Sequence, residues 1–146
     1  MAGSAEIQRA FLSAKRFAVI GASKNPDKWG SRVLRWYQTH DKTVTPVHPR
    51  EIELEGLKTF ETLEAVPEPS ETAVSVITPP AVTLGILESA KSLNVPYVWL
   101  QPGAENDEVR KYVESAGLTD RVVLGGPCVL RDGPAILRNL GEESKL

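Results

Sequence analysis

Apolar positions along the chain alternate between two patterns. Short runs of β-branched and aliphatic residues recur at 16–20, 43–47, 72–77, 95–100 and 121–124, as expected of strands buried on both faces. Between them, apolar residues recur at helical spacing. Ile7, Ala10, Phe11 and Ala14 predict a short helix over about 5–15. Val33, Leu34, Trp36 and Tyr37 predict a helix over 29–40, and Val82, Ile86, Leu87 and Ala90 one over 81–93. Val109, Tyr112 and Val113 predict a further helix over 107–116. Residues 50–60 predict an irregular excursion, 62–66 a helical turn, 135–140 a last helical turn and 141–146 a polar tail. Pro80 suits a helix start and Gly117 a helix end, while Pro67 and Pro69 break the chain.

Apolar strands alternating with helices predict an α/β fold. The expected product is a doubly wound, five-stranded, mainly parallel sheet with helices on both faces, in strand order 3-2-1-4-5. With no internal repeat or linker, residues 1–146 form one expected domain. Ligands of such sheets bind at the carboxyl ends of the strands, where strand order reverses. In the expected order that point lies between the first and fourth strands. Four loops rich in Gly, Pro and small polar residues converge there: Gly21 to Gly30, His48 to Arg50, Thr78 to Pro80, and Gln101 to Gly103.

Composition narrows the classes of function. A chain of 146 residues with 41% hydrophobic content can bury a core without disulfides or a metal. A net charge of -2 argues against a protein built mainly to bind nucleic acid. The single cysteine, Cys128, excludes an internal disulfide and a cysteine-based metal site, and suits the reducing cytoplasm. No apolar run approaches the roughly 20 residues of a membrane helix. A mitochondrial presequence is the alternative reading of 1–16, where Arg9, Lys15 and Arg16 face only Glu6; the first strand then follows without a spacer.

The loop after the first strand carries candidate chemistry. Gly21 permits a sharp turn, and Ala22 and Ser23 are small enough to let backbone amides approach a ligand. Ser23 adds a hydroxyl, and Lys24 and Lys28 add positive charge that Asp27 partly offsets. The following helix directs its free N–H groups and positive dipole end into the loop. Together these suit a phosphate or pyrophosphate. The loop is neither a Walker A motif nor G-x-G-x-x-G, since Ser23 replaces the second glycine. After the second strand, an NAD site needs an acid for the ribose hydroxyls. Here stands His48–Pro49–Arg50, and Asp41 precedes the strand, at the wrong end of the sheet. Arg50 suits a ribose phosphate, as in NADP or coenzyme A.

The motifs "FAVIGASKNPDKWGSRV", "VTPVHPR", "VSVITPP" and "VWLQPGAEN", in this order, resemble the CoA-binding family of small Rossmann-like proteins. That family is related to the nucleotide domain of the succinyl-CoA synthetase alpha subunit. The resemblance runs from the N-terminal helix to about Leu140. It implies a coenzyme A site with the pyrophosphate on Gly21, Ala22, Ser23 and Lys24. It also implies Arg50 at the basic position after the second strand, and Thr78 and Pro79 flanking the nucleotide. Trp29 and Gln101, at converging loops, complete the candidate cofactor-binding set.

No nucleophile–base–acid constellation or metal cluster is visible in the sequence. His40 and His48 have no acid-base partner by spacing. The chain stops before the second domain that carries the phosphorylated histidine of the synthetase. The expected function is therefore a stand-alone CoA or acyl-CoA binding protein without ligase activity, with a homodimer as one expected assembly. The alternatives are an NADP-binding reductase module and a non-catalytic subunit of an acyl-CoA-handling enzyme. Cys128 reads as a small buried residue, with a thiol that meets the pantetheine end of CoA as the alternative.

Overall fold

The computed structural model describes residues 3–145, the side chains of 142–145 excepted. Seven strands and five α-helices follow in order. They are α1 (Ser4–Leu12), β1 (Arg16–Ile20), α2 (Trp29–Thr39), β2 (Val44–Val47), β3 (Glu53–Leu54), β4 (Leu57–Lys58), β5 (Thr72–Val76), α3 (Pro80–Ser92), β6 (Val98–Leu100), α4 (Asp107–Ser115), β7 (Val122–Val123) and α5 (Val129–Lys145). Five of the strands form a parallel sheet ordered β2-β1-β5-β6-β7, and β3 and β4 form a small antiparallel hairpin.

The doubly wound α/β class is the one expected, but the strand order is not. Counted along the chain, the five sheet strands run 2-1-3-4-5 rather than 3-2-1-4-5. The reason lies in the 50–60 excursion. Phe60 bridges Val47 on the outer side of β2. The Phe60 amide donates to the Pro46 carbonyl and the His48 amide to the Phe60 carbonyl. With that side of β2 occupied, the third sheet strand, β5, pairs with the free side of β1 instead. β5 is buried along its whole length, which suits its uncharged, β-branched sequence. Strand order therefore reverses between β1 and β5, not between the first and fourth strands as expected.

Alternation along the strands feeds two cores. Phe17, Val19, Ala73, Trp99 and Val123 face α1, α2 and α5. Ala18, Ile20, Val74, Val76, Val98 and Leu100 face α3 and α4. α1 ends at Leu12 rather than near residue 15, because Ser13 turns its hydroxyl onto the Arg9 carbonyl. β6 is shorter than expected. Pro96 lacks an amide, and the Val95 amide instead closes α3 on the Ala90 carbonyl.

α5 is the largest departure. A single turn at 135–140 and a polar tail at 141–146 were expected, yet the helix runs Val129–Lys145; Leu146 lies outside the described residues. Its start is held by polar caps. The Cys128 amide donates to the Asp132 carboxylate, and the Val129 amide to Gln101 Oε1. The Arg131 guanidinium beside it holds the Asp132 carboxyl below the usual carboxylate range. Pro134 removes one helix hydrogen bond, but Val129, Leu130, Ile136, Leu137 and Leu140 pack into the first core. Gly133 lies so close to the Trp36 ring that a Cβ there would collide with it.

Candidate functional site

A cleft of about 560 Å³ opens at the carboxyl ends of β1, β2 and β5, within the size range of small-molecule sites. One wall is Gly21 and Ala22, and a second is Val47, His48 and Pro49. Thr78 and Pro79 line it where β5 ends. The far side is a face of α3, with Val82, Gly85, Ile86 and Ser89, opposed by Thr62, Leu63 and Glu64 around the 3-10 turn Leu63–Ala65.

The glycines at the first loop are structural necessities. Gly21 has φ +99°, and a Cβ there would strike the Ile77 carbonyl. The Ile77 amide in turn donates to the Ile20 carbonyl at 2.8 Å, so β1 and β5 stay paired to their ends. Gly30, in the first turn of α2, packs against the Gly21 carbonyl with no room for a side chain. The helix start is thereby drawn against the strand end, the close approach that the third glycine of a dinucleotide fingerprint serves.

Between these glycines the loop is fixed by its own polar groups. The Asn25 amide donates to Ser23 Oγ, and the Asp27 amide to Asn25 Oδ1. Ser23 still has its O–H to donate. Arg35 reaches back from α2 to the Pro26 carbonyl at 2.8 Å. Lys28, the residue before α2, supplies no side-chain cap, and the first turn of α2 holds no acid. The dipole end of the helix therefore keeps its positive character beside Lys24 and Lys28.

The hairpin steadies the same helix from the other side. Glu55 and Gly56 both have positive φ, as a tight two-residue hairpin loop requires. Glu55 accepts from Ser31 Oγ through its carboxylate and from Gln38 Nε2 through its carbonyl.

Of the residues expected at the site, Gly21, Ala22, Thr78 and Pro79 stand together on the cleft wall. Thr78 and Thr83 share a hydroxyl contact of 2.8 Å, which ties that wall to α3. Ser23 and Lys24 continue the loop from Ala22, and Lys24 is exposed. Arg50 is exposed, two residues beyond the His48 wall. Trp29 is 39% exposed, and the Arg32 guanidinium lies 5.2 Å from its ring centre. Gln101 is fully buried and away from the cleft lining. Its Oε1 caps α5, and its Nε2 has no hydrogen-bond partner among the described residues. Cys128 is buried as well.

The His48 to Arg50 loop was expected at the ligand through Arg50, whereas His48 is its residue on the cleft wall. The side of the cleft that α3 supplies was not anticipated from the sequence. Gly85 carried the available signal: a glycine inside a helix is unfavourable, and here it faces open space. Among the described residues, no three His, Cys, Asp or Glu side chains are placed to hold a metal ion. No described helix is long and apolar enough to cross a membrane.

The fold and the cleft at its switch point define a Rossmann-like ligand-binding domain. Residues 15–134 match the model of the CoA binding domain, and the chain belongs to that family. The Bacillus subtilis protein YneT, itself uncharacterized, is 29% identical over 115 residues, which is 79% of this chain and 84% of YneT. A hypothetical protein from Pyrococcus horikoshii OT3 superposes with a TM-score of 0.80 at 26% identity, covering 93% of each chain. A dinucleotide forming acetyl-coenzyme A synthetase from Ca. Korarchaeum cryptofilum superposes with a TM-score of 0.65 at 28% identity. That match covers 77% of this chain and 26% of the synthetase chain.

Proposed function

We propose that the cleft binds coenzyme A or an acyl-CoA, and that the chain serves as a binding module without ligase chemistry of its own. One observation carries this reading: a single cleft runs from Gly21 and Ala22, against which the start of α2 packs through Gly30, to an aliphatic side made by Val82, Ile86 and Leu63. A nucleotide phosphate suits the first part. An uncharged chain such as pantetheine suits the second. Arg50, beyond the His48 wall, is the partner proposed for a ribose phosphate. Membership of the CoA binding domain family favours coenzyme A over NADP.

The side chains favour binding over catalysis. The His40 ring lies tilted against Trp36, and its Nδ1 contacts the Trp36 carbonyl and the Thr39 hydroxyl. His48 Nδ1 meets two backbone amides. Among the described residues, neither imidazole is paired with a carboxylate. A cytoplasmic homodimer is the setting we propose.

Titration with CoA, dephospho-CoA, NADP and NAD, read by melting temperature, tests the reading. CoA at a hundredfold excess over its dissociation constant should stabilise the fold by about 2.7 kcal/mol. A shift with NADP and none with CoA overturns it.

A further inference from the structure

We infer that His48 determines ligand specificity in the cleft, as a neutral imidazole that presents a fixed N–H donor to an acceptor atom of the bound nucleotide. The inference rests on the nucleotide reading above and adds a recognition residue to it.

The ring is oriented by its own turn. The amides of Arg50 and Glu51 both point at His48 Nδ1, each at 3.0 Å. A nitrogen that accepts from two N–H groups carries no proton itself. The proton of the neutral ring is therefore on Nε2. The ring cannot rotate without giving up both bonds, and the His48 amide is tied to Phe60 behind it. Backbone and side chain are thus both anchored at the end of β2.

His48 lines the cleft, half-buried, between Val47 and Pro49. Among the described residues Nε2–H has no hydrogen-bond partner. A donor held rigidly at the wall of a largely apolar pocket, whose other polar lining is Glu61, Thr62, Glu64, Thr78 and Ser89, selects for an acceptor on the ligand. Ring nitrogens of a purine and oxygens of a ribose phosphate both qualify. An apolar or donor group at that place leaves the N–H unsatisfied, and the resulting penalty discriminates between ligands.

Two substitutions separate the turn from the donor. Asparagine can place its amide oxygen near the position of the imidazole Nδ1 and accept the same two amides, as in an Asx turn, but it has no group at the Nε2 position. His48→Asn should keep the melting temperature of the free protein and weaken CoA about fivefold, as expected for one lost neutral hydrogen bond. His48→Ala should lower both stability and affinity. Repeating the titrations with dephospho-CoA identifies the acceptor. An equal loss for both ligands points to the base, and a loss confined to CoA points to the ribose phosphate.

Nitrogen-15 NMR of the unmodified protein supplies a readout independent of any variant. The His48 ring should show the Nε2–H tautomer, and its Nε2 resonance should move when CoA is added. An Nδ1–H tautomer, an unmoved Nε2, or CoA binding by His48→Asn equal to wild type overturns the inference. If the unmodified protein binds no CoA at all, the proposed function fails and takes this inference with it.

Discussion

Gly30 packs directly on the carbonyl of Gly21, and nothing larger than hydrogen fits between them. This contact sets where α2 begins relative to the end of β1, and so where the helix amides stand beside the Gly21 wall of the cleft. Gly30→Ala must push the helix off the strand, at a cost of about 1–3 kcal/mol typical of overpacking. Differential scanning calorimetry should show the loss of stability. CoA affinity should fall further than in a surface variant of equal stability. Unchanged affinity at a lowered melting temperature would separate the helix start from the ligand.

Gly85 offers the opposite experiment. Its position in α3 faces open space, so alanine fits without collision. Gly85→Ala should raise stability by about 0.5–1 kcal/mol through helix propensity. Gly85→Leu should fold equally well but project into the cleft and weaken CoA at least tenfold. Wild-type binding by the leucine variant would show that the ligand lies elsewhere.

Arg50 is exposed, two residues beyond the His48 wall, and among the described residues its guanidinium has no ion-pair partner. Loss of one charge-assisted hydrogen bond, about 1.5–3 kcal/mol, predicts that Arg50→Ala weakens CoA at least tenfold. Dephospho-CoA should lose much less. Equal losses, measured by isothermal titration, would remove Arg50 from the ribose phosphate.

Beneath the sheet, the Tyr37 hydroxyl lies 2.6 Å from Ser75 Oγ, and both side chains are fully buried. Tyr37→Phe strands the serine hydroxyl, and Ser75→Ala strands the phenol; each should cost about 1–3 kcal/mol. The double variant should recover part of that loss. Burial also pushes the Tyr37 phenol far above its ordinary value near 10. The unfolded chain then releases this proton before the folded one does. The contribution is whole below pH about 10 and is lost as pH rises above it. Urea melts at increasing alkaline pH should show a steeper decline for wild type than for Tyr37→Phe.

The alternation of strands and helices was legible because burial on both faces demands apolar runs such as Phe17 to Ile20. Strand order was not. Periodicity reports which face of a strand is buried, not which neighbour it takes, and the choice was made by Phe60 bonding to the outer side of β2. α5 was hidden by Gly133 and Pro134, which read locally as breakers. Tertiary contacts override both: Trp36 fills the space above the glycine, and the flanking aliphatic residues anchor the helix. At the site, Gly21, Ala22, Thr78 and Pro79 could be found from the chain because they sit where strands end. The α3 wall could not, since a helix face turned toward a ligand has the same apolar spacing as one turned toward a core. Gln101 was expected at the ligand from its loop position, whereas the structure places it inside, capping α5.

The bridge between Val47 and Phe60 has a consequence for association. An uncovered edge strand is a template on which a second chain can add. The Phe60 carbonyl and amide already take the His48 amide and the Pro46 carbonyl, and the proline ring has no N–H to offer. At the carboxyl end of β2 the sheet is closed to extension. Two copies that meet at this end must do so through side chains, leaving the strands of each molecule its own.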